Sequence, residues 1–170
     1  MNQILRDPEA EGGDVMPAQV VMLGIGDEIF ALNTDLVREI IDPVPATRVA
    51  GAPAFLPSVV NVRGNVIPLA DLRCRFGMPK TDDAADTRIV VLEIEIDGDP
   101  LLVGVVADKV YEVTQISPAD VQKTPRVGMR WNPEFIQFIA KWRDEFVIVP
   151  NMERILSSSR PQHATKGIEK

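Results

Sequence analysis

The chain has 170 residues, 45% hydrophobic and 25% charged, enough for one domain with a sizeable core or two small barrels sharing one. A formal net charge of −7 argues against a nucleic-acid partner, whose phosphate backbone calls for a basic surface. The single cysteine, Cys74, excludes an intramolecular disulfide and a CxxC pair, and no run of 18 apolar residues is present for direct membrane insertion.

Residues 1–17 carry Asp7, Glu9, Glu11, Asp14 and Gly12-Gly13 with little to bury, and are expected to form a flexible tail. They lack the basic-then-apolar pattern of a secretory signal, so a cytoplasmic location is expected. Short apolar segments with turn punctuation then predict strands at 19–25, 28–32, 59–63 and 66–69. Gly64-Asn65 is the predicted two-residue turn of the hairpin between the last two. The stretch near 77–86 supplies proline, charge and no periodicity, and marks an approximate subdomain division. Strands follow at 88–96, 101–113, 135–143 and 146–149. Over 88–97, Val90, Leu92, Ile94 and Ile96 share one face and Glu93, Glu95 and Asp97 the other. Each aliphatic fully buried from that face contributes about 1.5–3 kcal/mol. Residues 101–106 are nearly all apolar, as in a strand enclosed on both sides. Turns are expected at Asp97-Gly98-Asp99-Pro100 and Arg143-Asp144-Glu145. Helix is confined to 35–37, 71–76, 118–121 and 152–156, with Ser117 as an N-cap before Pro118. Residues 157–170, opening Ser157-Ser158-Ser159, read as a second flexible tail. The expected fold is all-β with short helices, in two similar β-rich halves.

Few residues offer catalytic or metal chemistry. His163, the only histidine, lies in the expected C-terminal tail. Cys74 stands between Arg73 and Arg75, cations that favour a thiolate, but it has no histidine near it in sequence and falls off the apolar face of its short helix. An exposed, incidental thiol is the better reading. Glu93, Glu95, Asp97 and Asp99 place Gly98 at the sixth position of a calcium loop, yet Gly104 stands where the bidentate glutamate belongs. A solvated strand face explains these acids better. Gly24 and Gly26 lack the third glycine and helix of a dinucleotide fingerprint. No catalytic residue, cofactor or metal site is expected. Trp142 reads as core, and Trp131, in a polar loop, as a candidate partner anchor.

The most informative stretch is 59–76, Val-Val-Asn-Val-Arg-Gly-Asn-Val-Ile-Pro-Leu-Ala-Asp-Leu-Arg-Cys-Arg-Phe, a hairpin followed at once by a helical turn. With the Gly26-to-Leu32 and Thr34-to-Ile41 segments, the Gly51-Ala52-Pro53-Ala54-Phe55 lead-in, the later strands and Asn151-Met152-Glu153-Arg154-Ile155-Leu156, it resembles the CheW-like chemotaxis coupling family. The resemblance covers about 19–156, so the family domain is set at 18–156. Ser58 and Phe138 stand where the family usually has glycine.

The resemblance implies two packed small SH3-like barrels and a non-enzymatic adaptor. Such an adaptor couples the cytoplasmic tip of methyl-accepting chemoreceptors to the regulatory domain of the histidine kinase CheA, at membrane-associated receptor arrays. It further implies a Glu39–Arg63 ion pair beside a receptor-facing surface made by Val37, Glu39, Asn61, Arg63 and Gly64. Asn61 is expected to share Arg63's strand face and Val37 to give Glu39 an apolar neighbour. Two rival readings are an adaptor of a non-flagellar chemosensory pathway, such as pilus-based motility, and a nucleic-acid-binding small β-barrel.

Overall fold

The computed structural model describes residues 19–122 and 132–157. Trp131, His163, the expected tail at 1–17 and the expected 157–170 tail beyond Ser157 lie outside the described residues; Ser157 itself ends a helix instead of opening a tail.

Twelve strands among the described residues form two six-stranded sheets. The first contains β1 (Val20–Ile25), β2 (Glu28–Asn33), β9 (Lys109–Thr114), β10 (Val121–Gln122), β11 (Ile136–Trp142) and β12 (Glu145–Pro150), in the order β10-β11-β12-β2-β1-β9. The second contains β3 (Val37–Ile41), β4 (Ala46–Arg48), β5 (Ser58–Val62), β6 (Asn65–Ala70), β7 (Arg88–Ile96) and β8 (Asp99–Ala107), in the order β3-β7-β8-β6-β5-β4. Each sheet has one parallel join, β12 to β2 and β6 to β8, and is otherwise antiparallel. Among the described residues helix is limited to α1 (Leu72–Arg75), α2 (Met152–Ser157) and 3-10 turns at Thr34–Leu36, Pro118–Asp120 and Pro133–Phe135. Asp71 caps α1, its carboxylate accepting from the Arg73 N–H at 3.1 Å.

The all-β class with short helices is as expected, but the sequence division is not a boundary between sheets. β6 precedes the 77–86 stretch and β7 follows it, and both lie in the second sheet. The chain crosses between sheets at 34–36, returns at Asp108, and the β1–β2 hairpin completes the sheet begun by β9. The predicted 101–113 strand is two strands, because Asp108 leaves the ladder there. β3, β4 and the two-residue β10 have no counterpart among the strands expected from the sequence, and Val121, expected at a helix end, begins β10.

Among the described residues three apolar clusters hold the fold. The largest lies between the sheets and joins Leu23, Phe30 and Ile148 to Leu92, Val103 and both helices. A second, with Met22, Ala31, Phe138 and Val147, belongs to the first sheet; a third, with Val60, Ile67, Ile89 and Val91, belongs to the second. All of β1 is therefore buried, Leu23 and Ile25 toward one cluster and Val20 and Met22 toward another. The same holds in β7, where Ile89 and Val91 are buried opposite the predicted Val90–Leu92 face. Each sheet curls around its own small cluster. In the first, Tyr111 on the β9 edge meets Trp142 on β11 with ring centroids 6.0 Å apart. In the second, the turn after β5 reaches the β3 edge through Arg63 and Glu39. Phe138, at an expected glycine position, fills the first sheet's own cluster and is 8% exposed.

The two sheets correspond strand by strand: β3, β4, β5, β6, β7 and β8 match β9, β10, β11, β12, β1 and β2 in neighbours and direction. The match extends to residues. Phe55 and Phe135 accept from the backbone N–H of Asp71 and Asn151 at 3.0 and 2.8 Å, each just before a short helix. Arg75 stacks on both rings, 4.6 Å from Phe55 and 5.2 Å from Phe135. Ser58 and Phe138, the two glycine replacements, occupy equivalent places.

Candidate functional site

The β5–β6 hairpin closes at Val62 opposite Asn65, so its two turn residues are Arg63 and Gly64, with φ of 52° and 86°. This corrects the Gly64-Asn65 expectation by one residue. A two-residue turn of this hand needs positive φ at both positions, and Arg63 adopts it although it carries a Cβ. Asn61 helps hold that conformation: its side-chain oxygen accepts from the Gly64 N–H at 3.0 Å. Asn61 is therefore tied to the turn backbone instead of lying beside Arg63 on one strand face.

Across the sheet, β3 pairs Val37 with Leu92 and Glu39 with Val91, leaving Arg38 as a bulge. The bulge puts Val37 and Glu39 on opposite faces. Val37 packs against the inter-sheet cluster, whereas Glu39 lies over the second sheet's own cluster with its carboxylate toward the hairpin turn. The expected apolar neighbour of Glu39 is thus not Val37. Arg63 Nε lies 3.0 Å from both Glu39 oxygens, and a terminal guanidinium nitrogen lies 2.9 Å from Oε1. The hydrogen bond from Arg63 lowers the Glu39 pKa below its ordinary value, with Arg38 assisting through its charge, and Glu39 raises that of Arg63. Arg63 remains 74% exposed and Glu39 25%. Such an exposed pair positions the turn more than it stabilises the fold.

Under this pair lies a cleft of about 130 Å³, floored by Val62, Ile67, Val91 and Leu102 and rimmed by Glu39 and Arg63. Arg38 extends the rim by pairing with Glu93. Sequence reasoning missed the floor because Val62 and Val91 look like ordinary strand residues until the sheet curls. The acidic run beginning at Glu93 is partly accounted for by this pairing, and among the described residues no cluster of metal-ligating side chains occurs. Cys74 is exposed, as expected.

A larger depression of about 490 Å³ lies by the start of β5 and α1. Three of its charged residues are engaged internally: Arg73, 5% exposed, pairs with Asp108, and Asp71 lies 3.6 Å from Lys80. The second Asp108 oxygen accepts from the Gly26 N–H at 2.7 Å. This group ties α1 to the β1–β2 turn across the two sheets, so its geometry is that of a structural junction.

The first sheet repeats the Arg–Glu arrangement. Arg143 and Asp144, with φ of 51° and 65°, form the β11–β12 turn, which ends before Glu145. Arg143 lies 3.0 Å from Glu112 on β9. β9 carries the matching bulge at Tyr111 between Val110 and Glu112. Val37-Arg38-Glu39 and Val110-Tyr111-Glu112 are thus equivalent, as are Val62-Arg63 and Trp142-Arg143.

Residues 19–160 match the family model described as the CheW-like domain. A probable chemotaxis protein CheW of Rhizobium etli is 28% identical over 146 residues, covering 86% of this chain and 92% of that protein. The chemotaxis protein CheW of Helicobacter pylori is 32% identical over 132 residues, covering 78% and 77%. The crystal structure of scaffolding protein TtCheW from Thermoanaerobacter tengcongensis superposes with a TM-score of 0.71 at 30% identity, covering 81% of this chain and 86% of that one.

Proposed function

The chain belongs to the CheW-like domain family and is a chemotaxis coupling adaptor, and from that premise we propose that its Glu39–Arg63 end docks the cytoplasmic tip of methyl-accepting chemoreceptors. The observation that carries this reading is the pair itself. A planar cation is held at a hairpin tip by a carboxylate from the opposite sheet edge, over an apolar cleft with a polar rim. A modest protein interface has that makeup. Arg63 and Glu39 set the rim, Asn61 and Gly64 fix the turn that presents it, and Val37 supports β3 from behind.

The regulatory domain of a CheA-type kinase would take a different surface, through a similar small barrel packed end to end. The adaptor then fixes kinase geometry relative to receptors without performing chemistry of its own. Among the described residues no helix is long and apolar enough to cross a membrane. The adaptor role itself implies a cytoplasmic protein recruited to receptor arrays. The test is titration of a receptor cytoplasmic-tip fragment against the full chain and Arg63→Ala. Weaker binding by a variant with an unchanged circular dichroism spectrum supports the site; equal binding removes Arg63 from it.

A further inference from the structure

The internal duplication gives the cleft a built-in comparison. In the first sheet the position equivalent to Val62 is Trp142, which packs against that sheet's own cluster. The position equivalent to Arg38 is Tyr111, edge-on to the Trp142 ring. The turn arginine, Arg143, stacks on the Trp142 ring with its guanidinium carbon 4.7 Å from the centroid. In the first sheet, then, a ring supplied by the chain lies under an arginine that is also paired to Glu112.

The second sheet keeps the arginine, the glutamate, the turn conformation and the bulge, but has no ring. Val62 and Arg38 replace the two aromatics, and the cleft of about 130 Å³ opens beside them. Its size is close to that of a buried apolar cavity of about 150 Å³ that admits benzene. Glu39 engages the Nε side of the Arg63 guanidinium, and the arginine side chain remains 74% exposed. A cation presented this way attracts the negative face of an aromatic ring.

We propose that the open end of the second sheet receives one aromatic side chain from the docked partner, seated on Val62 and Val91 and stacked under Arg63 as Trp142 is under Arg143. The inference rests on the receptor-docking reading and narrows it to a segment presenting an exposed phenylalanine, tyrosine or tryptophan. A partner side chain here would complete a site that the first sheet completes for itself.

The test uses the full chain with methyl-labelled valine, leucine and isoleucine, titrated by nuclear magnetic resonance with indole and, separately, with N-acetyl-leucine amide. Saturable indole shifts at the methyls of Val62, Ile67 and Val91 are expected, with Val147 and Val149 unmoved and the leucine probe at least several-fold weaker. Val62→Trp should abolish the indole response by filling the cleft from within. Arg38→Tyr, at an exposed position that does not endanger folding, should reduce it by supplying the second ring. The proposal is overturned if indole shifts no cleft methyl in wild type, if the leucine probe binds as well, or if folded variants respond like wild type. Receptor-fragment binding lost in Arg63→Ala, with no indole response, would overturn the ring site and leave the docking surface standing. An indole response with no receptor-fragment binding would overturn the docking reading instead.

Discussion

Replacing Arg73 by methionine keeps the apolar stem and removes the cation that joins the sheets. Arg73 is 5% exposed, and its guanidinium pairs with Asp108, the single residue between β8 and β9. Removing one partner of a buried ion pair costs about 3–5 kcal/mol because the other charge is left uncompensated. Here the Asp108 side chain is 34% exposed and keeps its bond from the Gly26 N–H, so water and that bond offset part of the loss. The expected cost is then about 2–3 kcal/mol. For a chain of this size that corresponds to a fall in Tm of roughly 4–12 °C. Urea unfolding with an unchanged m-value would give the free energy, and amide exchange at Gly26 would report the local effect. The double variant with Asp108→Asn should cost clearly less than the sum of the single changes. A loss below about 1 kcal/mol, or simple additivity, would refute the view that this pair ties the sheets together.

Arg63→Ala should raise the Glu39 pKa toward the ordinary carboxylate value, read from its carboxyl carbon in an NMR titration. Because the folded pKa is depressed, the pair's contribution is present above the unfolded pKa and lost as pH falls through the folded one. The variant should lack that acid-side loss, and an unmoved Glu39 titration would contradict the assigned cause. Arg143→Ala, the equivalent change in the first sheet, should leave receptor-fragment affinity within two-fold of wild type; an equal loss in both variants would show that neither turn is specific. Gly104→Ala would bring a Cβ within 3.0 Å of Ile89 and 3.2 Å of Leu69. Thermal unfolding should record a cost of about 1–3 kcal/mol, and an unchanged Tm would show that this contact yields freely.

The β-strand pattern was readable because alternation and turn chemistry are local. The 88–96 strand is recovered to the residue, and the Glu39–Arg63 pair suggested by family resemblance is present. What failed depended on pairing. Val37 and Glu39 are two apart in sequence, yet a bulge seen only in the register with β7 puts them on opposite faces. Gly64-Asn65 looked like the turn because its residue types favour positive φ, while the closing pair shifted the turn onto Arg63. The exchange of β1–β2 into the later strands was hidden because nothing local identifies a strand's partner. The internal repeat did leave a trace: Pro53-Ala54-Phe55-Leu56 and Pro133-Glu134-Phe135-Ile136 hold equivalent places before equivalent hairpins. A search for self-similarity would have placed Ser58 opposite Phe138 and Arg63 opposite Arg143.

The most direct measurement is calorimetric titration of the full chain with the regulatory domain of each CheA-type kinase encoded in the same genome. Saturable binding to at least one of them, retained in Arg63→Ala, is the result predicted for an adaptor whose kinase and receptor surfaces are separate. Absence of binding to every such domain by folded protein would contradict its role as a coupler of receptors to these kinases.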